Sequence, residues 1–254
     1  MASIKKPSYA KEPEKFPWEQ PTPTGPFWID ISERLSSQFL SIWGTDGLAE
    51  LPLDPLLSKE DKILLFRRLL DEKLKQSEST TPPDRMSEDD FRLNRKMHFA
   101  LMSTYTETKE WAAAHEAGKA MSKAYEARHG RPDLGSLNTM AWTAERMGEY
   151  ALADTLCLES LPHLKRHDVL GPDSPQVLGT MRLRMLILGK IGRIVEAKEL
   201  NKQGYRVIES MKGGKFEKYY EEEIEAMNEI RSQLEKAEVT KETIPEDWEP
   251  EGSA

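Results

Sequence analysis

The sequence predicts an all-α fold: an α-solenoid of antiparallel helical hairpins with an N-terminal extension and a C-terminal capping helix. Apolar residues recur at helical spacing from Phe91 to about Leu234. A helix–turn–helix layout also repeats at a period of roughly 40 residues, which is typical of stacked hairpins. The chain has only 15 glycines and lacks long alternating runs of Val, Ile and Thr, so a sheet is disfavoured.

The first residues form a proline-rich segment that excludes helix, because six of the 16 prolines fall within the first 26 residues. It nevertheless carries Phe16, Trp18, Phe27 and Trp28, and disordered tails are usually poor in aromatic residues. Two alternatives remain open here, a strap that docks on the body and a free arm.

Capping boxes predict where the next helices begin, since a side-chain acceptor is followed three residues later by an acid. The three boxes are Asp30-x-x-Glu33, Ser58-x-x-Asp61 and Ser87-x-x-Asp90. We expect the first helix to end at the GTDG sequence (44–47). Residues 76–85 read as a connector because they lack apolar side chains and contain two prolines.

The repeat is clearest when Gly148 and Gly192 are placed in register, with an earlier and weaker copy in which Lys109 takes the glycine position. The matched sets are Lys109, Trp111 and Ala114; Gly148, Tyr150 and Ala153; and Gly192, Ile194 and Ala197. The glycine ends one helix in the left-handed conformation, the large residue begins the next helix, and the alanine lets two helices approach closely. A single hairpin of this kind cannot bury its apolar face, so neighbouring copies must stack.

The stretch SLNTMAWTAERMGEYALADTLCLESLPHLKRHDVLGPDSP (136–175) resembles a tetratricopeptide repeat of the kinesin-light-chain type, including the LGP-x-x-P loop before the next helix. The resemblance is less close over 176–212 and least close over 92–131. Lys109 departs from the turn glycine of the family, and Arg184 stands where the family prefers an apolar core residue. Both departures predict a degenerate array.

In this family, ligands lie along the concave surface formed by the first helix of each hairpin. The resemblance therefore implies the groove residues Phe99, Ser103, Thr106, Asn138, Trp142, Glu145, Arg182, Leu186 and Lys190. Trp142 is the expected anchor, because tryptophan often dominates binding energy. The alternative is that Trp142 packs against a neighbouring helix or against the N-terminal strap.

The last predicted helix, about 215–236, carries one apolar face and one acidic face. The apolar positions are Phe216, Tyr220, Ile224, Met227, Ile230 and Leu234. Trp248 lies in the acidic tail that follows, either as a docked anchor or motif or as a disordered residue. The sequence thus divides into an arm (1–29), N-terminal helices and a linker (30–86), repeats (87–212), a capping helix (213–238) and an acidic tail (239–254).

Charge and composition exclude several classes of function. The formal net charge is −8, and the acidity is concentrated in the C-terminal region, so the body lacks a basic stripe for nucleic acid. No apolar run approaches the ~20 residues of a membrane helix. The N-terminus lacks the apolar core of a secretory signal, and the single Cys157 excludes an internal disulfide. We expect a soluble, cytoplasmic protein.

Signatures of catalysis and metal binding are absent from the sequence. His163 and His167 lie four residues apart, but Lys165 and Arg166 beside them would repel a cation. Cys157 lies at a packing position of a helix, which favours a buried and inert thiol over a nucleophile. His98 and His115 fit core or surface roles better than that of a general base. We expect neither a metal nor a cofactor.

Two functions follow from these observations. The first is a protein–protein interaction scaffold or adaptor that binds an extended peptide or a helix in the concave groove, and it is not an enzyme. The alternative is a protein that binds a small hydrophobic molecule, or a cofactor-free isomerase or cyclase, with its pocket closed by the N-terminal arm.

Overall fold

The computed structural model describes residues 3–5, 16, 19–240, 242–245 and 248, and it confirms an all-α fold over this part of the chain. Nine α-helices are present among these residues: α1 (Glu33–Glu50), α2 (Lys59–Thr80), α3 (Glu88–Glu107), α4 (Trp111–His129), α5 (Leu134–Arg146), α6 (Tyr150–Arg166), α7 (Pro175–Lys190), α8 (Ile194–Met211) and α9 (Tyr220–Thr240). Two short strands, β1 (Ser3–Lys5) and β2 (Thr22–Thr24), pair antiparallel before the first helix.

The chain folds as two compact units, Met1–Ser136 and Leu137–Ala254. Unit 1 holds the strands, α1–α4 and the first turn of α5. Unit 2 holds the rest of α5 and α6–α9. Within each unit, consecutive helices pack on one another: α3 on α4 in unit 1, and α6 on α7, α7 on α8 and α8 on α9 in unit 2.

The end of the N-terminal arm belongs to the core of unit 1. A 3₁₀ turn at Pro26–Trp28 buries Phe27 and Trp28, whose ring centroids each lie 5.6 Å from that of Phe66 on α2. Phe39 of α1 completes the cluster, with its ring centroid 3.9 Å from that of Phe66. For these two arm residues the docked strap is confirmed, while Trp18 lies outside the described residues.

Helix α1 begins two residues later than the sequence predicts. Ser32 is the N-cap, and its Oγ accepts a hydrogen bond from the Leu35 amide. Ile29 and Asp30 form the turn that follows the 3₁₀ helix, and the Asp30 carboxylate lies 3.6 Å from Lys62 Nζ instead of capping α1. The predicted break at GTDG is confirmed at Gly44, whose φ of 67° and ψ of 177° are not helical, and a second helical stretch continues beyond this kink to Glu50.

The other two capping boxes are confirmed. The Ser58 hydroxyl accepts from the Asp61 amide at 3.1 Å, and that of Ser87 accepts from the Asp90 amide at 3.1 Å. Helix α2 runs to Thr80, which shortens the predicted connector of 76–85 from its N-terminal side. It ends there because the prolines that follow cannot continue a helix.

The repeated turn has one geometry at all three predicted positions. Lys109, Gly148 and Gly192 have left-handed φ values of 59°, 75° and 78°, and Lys109 is the only non-glycine residue with positive φ among the described residues. After each, the next amide donates to the carbonyl five residues back: Glu110 to Tyr105, Glu149 to Ala144 and Arg193 to Leu188, at 2.8–2.9 Å. This bond satisfies a carbonyl that the helix end leaves free.

The residues that follow each turn are also equivalent. Helices α4, α6 and α8 begin at Trp111, Tyr150 and Ile194, the positions that the sequence alignment predicts. The small residues three positions later, Ala114, Ala153 and Ala197, are completely buried. The internal match found in the sequence is therefore confirmed at the level of the turn and the first turn of the following helix.

Unit 2 is organised around α7, which contacts α6, α8 and α9. Six consecutive residues at its end, 185–190, are buried, as expected for a helix that is covered on all sides. Arg184 is tolerated near this core because its Nε donates to Asp154 Oδ1 of α6 at 2.6 Å. An ion pair therefore replaces the apolar contact that the repeat family prefers.

Helix α9 differs from the predicted capping helix in its start and in one face. A 3₁₀ turn at Glu217–Tyr219 precedes it, and the helix itself runs from Tyr220 to Thr240. Phe216, Met227, Ile230 and Leu234 are buried as predicted, whereas Tyr220 and Ile224 are half-buried. Glu223, expected on the solvent face, is also buried because it pairs with Arg182 of α7.

Candidate functional site

The predicted groove residues of unit 1 lie on α3. Phe99 is half-buried beneath the guanidinium of Arg95, which lies 4.7 Å from the ring centroid. Ser103 is buried and donates to the Phe99 carbonyl at 3.0 Å, and Thr106 donates to the Ser103 carbonyl at 2.8 Å. Both hydroxyls therefore make a hydrogen bond within their own helix, and Phe99 offers the main apolar surface of this set.

Arg95 is held in place by the loop that leads into α5. Its Nε and Nη2 donate to the two carboxylate oxygens of Asp133 at 2.7 and 2.6 Å, and this carboxyl group is almost completely buried. Gly135 allows the approach, because a Cβ there would lie 2.6 Å from Phe99 Cζ. The bidentate Arg95–Asp133 ion pair and the space left by Gly135 together fix the position of Phe99.

The predicted groove residues of α5 form a series from exposed to buried. Asn138 is exposed, and Trp142 one turn later is half-buried with the Arg146 guanidinium 5.0 Å from its ring centroid. Glu145 is buried. Trp142 thus combines partial burial with a cation–π contact that orients the ring.

The structure brings Glu145 of α5 together with Lys190 of α7. Lys190 Nζ lies 2.6 Å from Glu145 Oε1, and both side chains are 1% exposed. Arg146 Nε lies 3.4 Å from the other carboxylate oxygen, so two cations share one buried acid. We call Glu145, Arg146 and Lys190 the buried charge cluster, and it fixes α5 beside α7.

The remaining predicted residues lie on α7. Leu186 is buried, and Arg182 is half-buried in an ion pair with Glu223 of α9. Burial raises the pKa of the Glu223 carboxyl above its ordinary value, and the nearby Arg182 guanidinium opposes that shift. Lys190 and Arg182 are therefore engaged in interhelical pairs, whereas Asn138 is exposed and Trp142 is half-buried.

Unit 1 also contains an open pocket of about 280 Å³ on α2 and α3. Its lining is mostly polar and includes Lys73, Gln76, Ser77, Thr80 and Asp90. A site for a hydrophobic molecule needs a mainly apolar lining, so this pocket does not suit one.

The reactive groups in the described part of the chain are engaged structurally. Burial, reinforced by Asp154, raises the pKa of the Cys157 thiol to about 12, so this buried cysteine is a poor nucleophile. His167 Nδ1 accepts the Val169 amide at 3.2 Å and so stabilises the loop after α6. No cluster of three potential metal ligands occurs among the described residues, and none of the helices there has the length and apolarity to cross a membrane.

Two features of unit 2 were missed by reasoning from the sequence. Glu223 was assigned to the solvent face, and the residues after α9 were taken as a free tail. In the structure, Ile244 is 1% exposed and its amide donates to the Gly189 carbonyl at 3.3 Å. A signal existed in Gly189, a glycine that directly follows the apolar run MLIL (185–188) inside a helix, which indicates close approach by another group.

Scans against protein-family models, curated proteins and solved structures find no match to this chain. The tetratricopeptide resemblance therefore depends on the residues and the turn geometry alone. Function must be argued from these surfaces.

Proposed function

We propose that the chain is a cytoplasmic interaction scaffold of the tetratricopeptide type, an α-solenoid of antiparallel hairpins that binds an extended peptide or a helix. In this proposal α5 and α7 of unit 2 are the first helices of successive hairpins and provide the binding surface. The partner is a protein, and neither nucleic acid nor a membrane is involved.

The observation that carries the proposal is the recurrence of one left-handed turn at Lys109, Gly148 and Gly192 with equivalent residues after it. A second observation supports it: the Lys190–Glu145 pair holds two of the proposed first helices, α7 and α5, side by side. Such adjacency is what a continuous surface along first helices requires.

Trp142 is the best candidate for the anchor of the bound segment. It is half-buried, so binding would remove further ring surface from water, and Arg146 already fixes its orientation. A pre-oriented aromatic ring loses little conformational entropy when a partner packs on it. The exposed Asn138, one turn away on α5, would lie at the edge of the same contact.

The alternative of an enclosed hydrophobic pocket requires the N-terminal arm to cover the groove. Phe27 and Trp28 instead contribute to the aromatic core formed with Phe39 and Phe66 of α1 and α2. These two aromatic residues are therefore part of the core of unit 1, which does not favour a role as a pocket lid. The scaffold is the better supported of the two functions.

The test uses two exposed amide residues of unit 2 as a matched pair. Asn138→Arg adds a long charged side chain to the proposed surface of α5, whereas Gln203→Arg adds the same side chain to α8, a second helix of a hairpin. We expect partners captured from the host to be lost with Asn138→Arg and Trp142→Ala and retained with Gln203→Arg. Equal capture by all three variants would refute the proposal.

A further inference from the structure

The chain after α9 turns back and reaches the C-terminal end of α7. The Glu242 amide donates to the Ala237 carbonyl at 3.2 Å, which ends α9. The Ile244 amide then donates to Gly189 of α7, and the Trp248 amide donates to the Pro245 carbonyl at 3.1 Å. Within unit 2, residues 242–245 therefore lack regular secondary structure, and Ile244 is the buried residue that contacts α7.

The contact has the form of a single side chain in a notch. A Cβ at Gly189 would lie 2.5 Å from Ile244 Cδ1 and 3.3 Å from Leu234 Cδ2, so the missing side chain makes the space that Ile244 fills. Gly189 has no left-handed φ, and its role is therefore steric. We call the space bounded by Gly189 and Leu234 the Gly189 notch.

The interactions of the segment are the ones by which extended peptides are recognised. One main-chain hydrogen bond ends on the Gly189 carbonyl in the last turn of α7, which also accepts the Gly192 amide at 3.2 Å. One branched aliphatic side chain fills a pocket, and Pro245 after it restricts the backbone. Nothing in this contact depends on a covalent link to α9, so another chain with the same residues could make it.

The surface around the Gly189 notch could also contact a peptide from another chain. Val195 of α8 and Val239 of α9 are 79% and 82% exposed, so both aliphatic side chains are accessible to another chain. The Lys198–Glu238 ion pair, at 2.5 Å, brings the helix turns that carry these valines together. An apolar surface therefore remains open at this end of unit 2.

We propose that the Gly189 notch is a peptide-binding site that Ile244, within residues 242–245 of the chain, occupies in cis. The segment from 242 onward contains five acids and no base. The partner that replaces it is an acidic, extended peptide in which Ile or Val directly precedes proline. The inference rests on the proposed scaffold function and names a second, self-covered site for it.

Because the chain's own tail occupies the Gly189 notch, a partner peptide must compete with it, and this competition weakens the partner's apparent affinity. A short tether gives an effective concentration on the order of millimolar. If the free tail peptide binds with a Kd of about 100 µM, its tethered form lowers the apparent affinity of a competitor roughly tenfold or more. The tail thus acts as a built-in competitor.

The probe is a fluorescein-labelled peptide of residues 240–251, TKETIPEDWEPE, followed by anisotropy against the full chain. We expect weak binding to the natural chain and at least tenfold tighter binding to the Ile244→Ser chain, whose own tail has lost its anchor. Adding Gly189→Ala to that chain fills the notch and should abolish binding. The matched control peptide carries serine in place of isoleucine and should not bind.

Several outcomes would overturn the proposal. These are equal binding of the probe to the natural and Ile244→Ser chains, equal binding of the serine peptide, and loss of helical circular dichroism in the Ile244→Ser chain, which would make the tail a permanent core element. Gly189→Ala alone provides a variant with an intact tail, and it should accelerate tryptic release of residues 242–254. An unchanged release rate would also refute the notch.

The two proposals fail separately. The tail probe requires no unknown partner and does not involve Asn138 or Trp142. A negative result with the tail peptide therefore leaves the α5 surface untested and intact as a hypothesis. Conversely, capture that is insensitive to Asn138→Arg does not alter the affinity measured at the notch.

Discussion

The left-handed turn leads us to predict that a glycine-to-alanine substitution has opposite effects on the free energy of unfolding at two glycines of unit 2. Gly148 has a φ of 75°, whereas Gly179 in α7 lies outside the left-handed region. No neighbouring atom lies within 4 Å of an added Cβ at Gly148, and at Gly179 the nearest is Arg182 Nη2 at an ordinary 3.9 Å. Steric clash therefore contributes at neither site, and backbone conformation decides the outcome.

The magnitudes follow from conformational terms alone. A left-handed alanine costs about 1–2 kcal/mol, and Gly→Ala recovers about 0.4–1 kcal/mol by restricting the unfolded chain. We expect Gly148→Ala to lower the free energy of unfolding by about 0.5–1 kcal/mol. Gly179→Ala should raise it by about 0.5–1 kcal/mol, because alanine is the better helix former.

Urea unfolding followed by circular dichroism measures both changes. With an m value of about 2 kcal/mol/M, the two variants should differ in midpoint by roughly 0.5–1 M at unchanged m. If both substitutions shift the midpoint in the same direction, the conformational argument for the turn is wrong. The assignment of Gly148 as the end of a repeat helix would then also fail.

Three further predictions concern single residues. Lys109→Gly should stabilise unit 1 by up to about 1 kcal/mol by relieving the left-handed lysine, and a destabilisation in urea unfolding would contradict the shared geometry. Lys190→Met should cost about 3–5 kcal/mol because it leaves Glu145 buried without its closest cation, and adding Glu145→Leu should recover most of that loss in a double-mutant cycle. Cys157, with a pKa of about 12, should resist iodoacetamide at pH 8 in the native protein and react once urea unfolds it; rapid native labelling would show that the thiol is accessible.

The features that the sequence predicts correctly are those set by local rules. A left-handed residue at the end of a helix, a large residue two positions on and an alanine three further are stereochemical requirements, so they can be aligned without a structure. Lys109 was identified in this way although it is not a glycine. The Ser58 and Ser87 caps were predictable for the same reason.

The features that the sequence misses depend on tertiary context. Asp30 has the chemistry of a cap, but the docking of Trp28 in the core of unit 1 moves the helix start to Ser32. Glu223 was assigned by helical periodicity to water, and only the arrival of Arg182 from α7, 41 residues earlier, explains its burial. An ion pair between residues that are far apart in the sequence cannot be predicted from either local segment alone.

The sequence predicts which helices carry the candidate site residues, but not which of these residues are buried or ion-paired. Reasoning from the sequence located Glu145 and Lys190 on a common surface, yet they form a buried pair with each other. Arg182 is similarly occupied by Glu223. What the sequence cannot supply is the burial of each predicted residue once the helices have packed: Asn138 stays exposed and Trp142 is half-buried.

The coverage of α7 has a consequence for synthesis on the ribosome. Three of its covers, α8, α9 and Ile244, follow it in the chain, so nascent α7 emerges with apolar surface that only later residues can bury. At about 5–20 residues per second, the stretch from Lys190 to Ile244 takes roughly 3–11 s to make. During that interval unit 2 is a client for chaperones, and a chain that terminates early leaves α7 exposed to degradation.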